Sequence, residues 1–200
     1  MRSTKQGHRG YRLGKRAERV ERTRRTIVEA TIAAHDELGI TGASLRDIAE
    51  RAGVAPSTIL HHFPDRAELI RACGELSDAL LPMPTSALFA ATDDELERVA
   101  RMASALFAWW EALGHGFDRL RTDRRALPAV DAWFEEVDLR HRALAQSAMP
   151  GADAGRIVLL VALTTPDAWS ALRASGLDAV AAGQSVAQLI NGHQARTRLQ

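Results

Sequence analysis

Two hydroxyls and two imidazoles, Ser57, Thr58, His61 and His62, fall within the seven residues from Pro56 to His62. Proline sets the first torsion of a helix in advance, and Ile59 and Phe63 then turn inward, leaving the four polar side chains facing out. Such groups donate and accept hydrogen bonds to a polar surface. They do not suit a metal ion. Adjacent histidines diverge by about 100° on a helix, whereas paired ligands need three or four residues between them. No Cys or carboxylate nearby completes a ligand set, so neither a metal nor a cofactor is expected.

The elements that must hold these groups are legible from Ser44 to Phe63. Ser44 and Asp47 have the spacing of a capping box. Leu45, Ile48, Ala49 and Ala52 recur on one helical face. Gly53 supplies the left-handed backbone that ends that helix, and Val54 plugs the corner. The small side chain of Ala49 lets the two helices cross closely. Two short helices joined by one tight turn make a helix-turn-helix, which lays its second helix in the DNA major groove. That helix spans about 10 Å, so it reads a few base pairs, and high specificity requires two heads on an inverted repeat.

Ile48-Ala49, Ala52-Gly53-Val54, Ser57-Thr58-Ile59 and His62-Phe63-Pro64, followed by Arg66 and Leu69, resemble the DNA-binding domain of the TetR family of transcriptional regulators. At the motif level the resemblance covers residues 23–80; beyond them it is one of length and helical layout. It implies that Ser57, Thr58, His61 and His62 face the groove, and that Ser44 and Arg46 grip the backbone. Arg24, Arg25, Thr26 and Arg66 become phosphate contacts, Arg66 at a position the family usually fills with lysine. Two departures stand out. Leu60 replaces the usual tyrosine, whose hydroxyl holds a phosphate, and His35 replaces a phenylalanine late in the first helix.

Charge is divided unevenly. Residues 1–66 hold 13 Lys and Arg against 8 Asp and Glu; residues 67–200 hold 13 against 17. A basic N-terminal module on a mildly acidic body is the electrostatic footprint of a DNA-binding head. Residues 1–17 mix Gly, Ser and basic residues without periodicity and are expected to form a disordered arm. The domain that follows is expected over residues 18–82, its first helix running from about Glu18 to Leu38. A single cysteine, Cys73, fits a reducing compartment, and its place on an apolar helical face marks a buried structural thiol. The longest apolar stretch, Ile157 to Leu163, is too short for a bilayer, and a cytoplasmic location is expected.

Residues 83–200 read as a helical body for ligand binding and dimerisation, which gives an all-α fold of about nine helices. Leu96, Val99, Ala103, Leu106, Trp110 and Leu113 form one seam, and Gly114-His-Gly116 stops it. Val130, Phe134, Val137, His141, Leu144 and Ala148 form a second. Pro166 is expected to kink or break the helix that begins near Asp153. The rings gather in this half. Met102, Phe107, Trp110, Phe117, Trp133, Phe134 and Trp169 suit a cavity for a flat apolar molecule, with His115 and His141 as its polar groups. By resemblance the last helices form a four-helix dimer interface, with Val158, Val161, Leu172, Val180, Val186 and Ile190 as contributors.

No nucleophile elbow, phosphate loop, zinc-type spacing or partnered carboxylate pair is present, so an enzyme reading has no motif to stand on. A helical carrier of apolar ligands and an architectural DNA-binding protein are the other readings. The helix-turn-helix separates the first from a regulator, and the aromatic body separates the second. The expectation is therefore a homodimeric repressor that binds a palindromic operator and is released by an apolar or aromatic ligand.

Overall fold

The computed structural model describes residues 6–124 and 127–197, and among them every regular element is helical. The order is α1 (Gln6–Leu38), α2 (Leu45–Ala52), α3 (Pro56–His62), α4 (Arg66–Leu80), a 3-10 turn at Ser86–Phe89, α5 (Glu95–Asp123), α6 (Pro128–Ala148), α7 (Ala154–Leu163), α8 (Pro166–Ala174) and α9 (Ala179–Thr197). Two compact units emerge: Met1–Leu76 with His115–Val130, and Ser77–Gly114 with Asp131–Gln200.

In the first unit, α1 starts earlier than its apolar spacing suggested. The stretch expected to be a disordered arm is helical from Gln6 onward, and residues 1–5 lie outside the described residues. Gln6, Leu13 and the Arg and Lys residues of this stretch favour helix, against the cost of Gly7, Gly10 and Gly14. Ile27, Val28 and Ala34 of α1 pack with Ile48 and Ala49 of α2, Ile59 and Phe63 around α3, and Leu69, Ala72 and Cys73 of α4. Cys73 lies buried with its Sγ 4.0 Å from the Val28 carbonyl, and burial pushes its thiol up to about 12. It therefore stays protonated and inert. Leu38, the last residue of α1, and Leu45, the first of α2 and expected on its apolar face, are both exposed.

The turn between α2 and α3 is built from backbone bonds. Gly53 sits at φ 65°, ψ 33°; its N–H donates to the Glu50 carbonyl, and the Val54 N–H donates to Ala49 at 3.0 Å. These two bonds form a Schellman motif and satisfy carbonyls that would otherwise end unpaired. Val54 packs against the core and fixes the direction in which α3 leaves.

In the second unit, Val99, Met102, Ala103, Leu106 and Phe107 of α5 are fully buried along one seam. Gly114 interrupts α5 at φ 66°, ψ −165°, where a helix stop was expected, and helical backbone resumes as far as Asp123. α7 and α8 are separate helices bent by 52°, with the Thr165 side chain accepting from the Ala168 N–H to start α8. α9 approaches α5 closely at Gly183. A Cβ there would lie 2.7 Å from the Ser104 amide and 2.8 Å from the Ala100 carbonyl, both backbone atoms. Among the described residues no single helix is long and apolar enough to cross a membrane.

These two glycines act by different means, and alanine should expose both. Gly53→Ala has open space but a left-handed backbone, and should cost about 1–2 kcal/mol. Gly183→Ala has a helical backbone but no space, and should cost about 1–3 kcal/mol by overpacking. An exposed helical glycine would instead gain about 0.5–1 kcal/mol from the same change. Urea midpoints of the two variants check both signs.

Candidate nucleic-acid interface

The reading face begins with burial. Ile59 and Phe63 are almost inaccessible to solvent, and that fixes which side of α3 looks outward. Ser57 and His61 are exposed one turn apart, while Thr58 and His62 are half-buried on the flank. The two imidazoles stand edge to face, with centroids 5.6 Å apart. Leu60, set aside in the sequence for lacking a hydroxyl, is as open as its polar neighbours. The helical spacing of positions 57, 60 and 61 was the signal that could have found it.

Around α3 the expected backbone contacts divide by what their polar atoms already do. Arg46 is exposed at the start of α2. Arg24, half-buried, lies with its guanidinium 4.4 Å above the Phe63 ring, a cation–π contact that holds it in place. Arg25 pairs with Glu29 at 2.9 Å, both partners exposed. Such a pair is worth about 0–1 kcal/mol, so exchanging the carboxylate for a phosphate costs little.

Three other candidates are engaged within the chain. The Ser44 hydroxyl donates to the Asp47 carboxylate and accepts from the Asp47 N–H at 3.2 Å, and the Ser44 N–H donates back to that carboxylate at 2.9 Å. These bonds hold the Asp47 carboxyl below its usual range. Ser44 thus sets the start of α2, with its proton already given. Thr26 donates to the Arg22 carbonyl at 3.0 Å. Arg66 donates to the Ile40 carbonyl, tying the start of α4 to the loop after α1. A phosphate oxygen only accepts hydrogen bonds, so Ser44 and Thr26 would have to break an internal bond to reach one.

Residues 27–73 match the family described as bacterial regulatory proteins, tetR family. The head is a tetR-family domain. Similarity of fold extends over most of the chain. A protein of Pseudomonas aeruginosa PAO1, provisionally described as a transcriptional regulator, aligns over 88% of this chain and 91% of its own, with TM-score 0.71 and 20% identity. A transcriptional regulator from Rhodococcus sp. Rha1 aligns over 84% and 94%, with TM-score 0.61 and 19% identity. The multidrug binding protein EbrR, in complex with imidazole, aligns over 84% and 92%, with TM-score 0.60 and 19% identity. At such identities the likeness is one of fold. Regulators of the tetR family are DNA-binding proteins and not enzymes.

Beyond the tetR-family head, the rings expected around a ligand are found in several groups. Met102, Phe107, Trp110, Phe134, His141 and Trp169 are buried in the second unit and Trp133 is half-buried there. Phe117 is buried in the first unit, and the His115 side chain lies outside the described residues. Phe107 stacks on Trp169 with centroids 5.2 Å apart, and Trp133 meets Phe134 edge to face at 5.1 Å.

Thr164, absent from the sequence-based candidates, joins the two polar groups of this cluster. Its carbonyl accepts from the Trp110 indole N–H at 3.0 Å. Its hydroxyl donates to the Leu160 carbonyl at 2.7 Å and therefore accepts at 2.8 Å from His141 Nε2, which must carry the proton. Its place before Thr165-Pro166, at the end of a helix, was the available signal.

Of the apolar residues expected at a dimer interface, Val158 is 54% and Val180 60% exposed, and Val161 and Leu172 are half-buried. Val186 and Ile190 turn inward, each 2% exposed, because α9 uses that face to pack within its own unit.

His141 generates a pH dependence. Burial lowers it from 6.5 to about 4, so the folded chain keeps it neutral. Between those values the unfolded chain binds a proton that the folded one refuses. Its contribution is therefore full above about pH 7 and falls by about 3 kcal/mol as pH drops toward 4. Urea titrations from pH 7 to 4 should show this slope, and His141→Gln, which keeps a donor toward Thr164, should flatten it.

Proposed function

We propose that this chain is a DNA-binding transcriptional regulator of the cytoplasm, a repressor that binds a palindromic operator as a homodimer. The observation that carries the reading is the exposed face of α3, seated by buried Ile59 and Phe63, with Arg24 over the Phe63 ring and Arg25 and Arg46 exposed on α1 and α2. A helix held on one side and open on the other, beside cations, matches what a major groove requires. Ser57 and His61 are the direct readers, with Thr58 and His62 on the flank. Arg24, Arg25 and Arg46 supply phosphate contacts, and Ser44, Thr26 and Arg66 hold the frame.

Seven residues of α3 read too little sequence to find one site, so two heads related by a twofold axis are needed. The open apolar side chains of Val158 and Val180, with Val161 and Leu172 half-buried, support the second unit as the surface of dimerisation. The multidrug binding described for EbrR and the aromatic content of this body support release by an apolar or aromatic small molecule. Such a ligand must bind better to the body conformation that disfavours DNA, and DNA must then weaken ligand binding by the same factor. A dimer seated on a promoter blocks polymerase without a second contact surface, which favours repression.

Fluorescence anisotropy on genomic fragments tests the reading. The protein should prefer particular fragments over random competitor and lose affinity steeply with salt. Arg46→Ala should reduce the salt slope by about 0.9 per head, the share of one phosphate. Light scattering should give twice the chain mass at micromolar concentration. Equal binding to every fragment, or a monomer, would sink the proposal.

A further inference from the structure

The exposed side chains of α3 after Pro56 are Ser57, Leu60 and His61, at i, i+3 and i+4, so they are neighbours on one face. Two of them carry hydrogen-bonding groups and the third does not. Leu60 is 50% exposed and borders a cleft whose rim also carries Leu45, 39% exposed. The core does not need it: Ile59 and Phe63, on either side in sequence, supply the burial that seats α3. An isolated exposed leucine is ordinary on a protein surface. One set between a serine and a histidine on the face that meets base edges offers a contact of different chemistry.

Within the major groove, apolar surface is scarce. Its distinctive apolar feature is the C5-methyl group of thymine, which cytosine and uracil lack. Leu60 has no donor or acceptor, so it cannot bond to a phosphate or to the polar atoms of a base edge. We infer that Leu60 is a specificity-determining residue that reads a thymine methyl group in each half-site, between the polar contacts of Ser57 and His61. The inference rests on the DNA-binding reading above. It turns the loss of the family's tyrosine into a change of contact: a bond to the backbone, indifferent to sequence, gives way to one that distinguishes thymine.

Deoxyuridine isolates the methyl group, because it keeps every pairing and hydrogen-bonding atom of thymine. Duplexes enriched by the wild-type dimer from a random pool are remade with uracil at each thymine in turn. At one thymine per half-site, uracil should weaken wild-type binding about fourfold, the value of one buried methyl group. Leu60→Ala should bind the thymine and uracil duplexes equally, and its thermal melting should match the wild type because the side chain is exposed. Leu60→Gln, which keeps the length without the apolar surface, gives the same comparison should the alanine variant fold poorly. A wild type that binds its site selectively yet ignores uracil at every thymine would overturn the inference and leave DNA binding intact. Full discrimination retained by both variants would also overturn it. If no sequence is enriched at all, the DNA-binding reading falls and this inference with it.

Discussion

Seven residues cannot hold a helix in water by themselves, and α3 has no side-chain N-cap to help it. Its shape is lent by Ile59 and Phe63, which bury almost completely among side chains of α1, α2 and α4. The Gly53 turn sets the direction in which α3 leaves α2, and Pro56 supplies its first torsion. The outward face of α3 follows from this anchoring. With those two side chains buried, the residues at 57, 60 and 61 have nowhere to go but into solvent.

Polar groups around the anchor fall into two kinds. Ser44, Thr26 and Arg66 give their protons to the chain itself, and what they contribute is position. Arg46, Arg25 and Arg24 keep charge at the surface, Arg25 in an exposed pair and Arg24 stacked on a ring. The bonds of Ser44 and Thr26 close within one helical turn, while Arg66 reaches back to the loop after α1. Arg25, paired with the exposed Glu29, is a cation whose partner a polyanion could replace. A tetR-family head thus combines a stiff frame with a few adjustable charges.

In the second unit, Thr164 does for the interior what Ser44 does for the head. It ends α7, accepts from two aromatic side chains, and sits where the chain bends by 52° into α8. The indole of Trp110 and the imidazole of His141 are thereby satisfied within the protein, which explains how two polar groups lie in an apolar core without cost. The same burial keeps His141 neutral.

The helix-turn-helix was legible in the sequence because its determinants are local. Ser44 with Asp47, the Gly53 turn, Pro56, and the inward spacing of Ile59 and Phe63 each act within a few residues, and all recur in the fold. The stop at Gly114 and the break before Pro166 were legible for the same reason, since backbone torsions of glycine and proline do not wait for partners. Tertiary structure decided which potential contacts remain open. Spacing alone could not say that Arg66 would turn back to Ile40, that Thr164 would collect Trp110 and His141, or that Val186 and Ile190 would face inward. A hydrogen-bonding or apolar group takes the nearest partner the packed chain provides, and that partner lies tens of residues away.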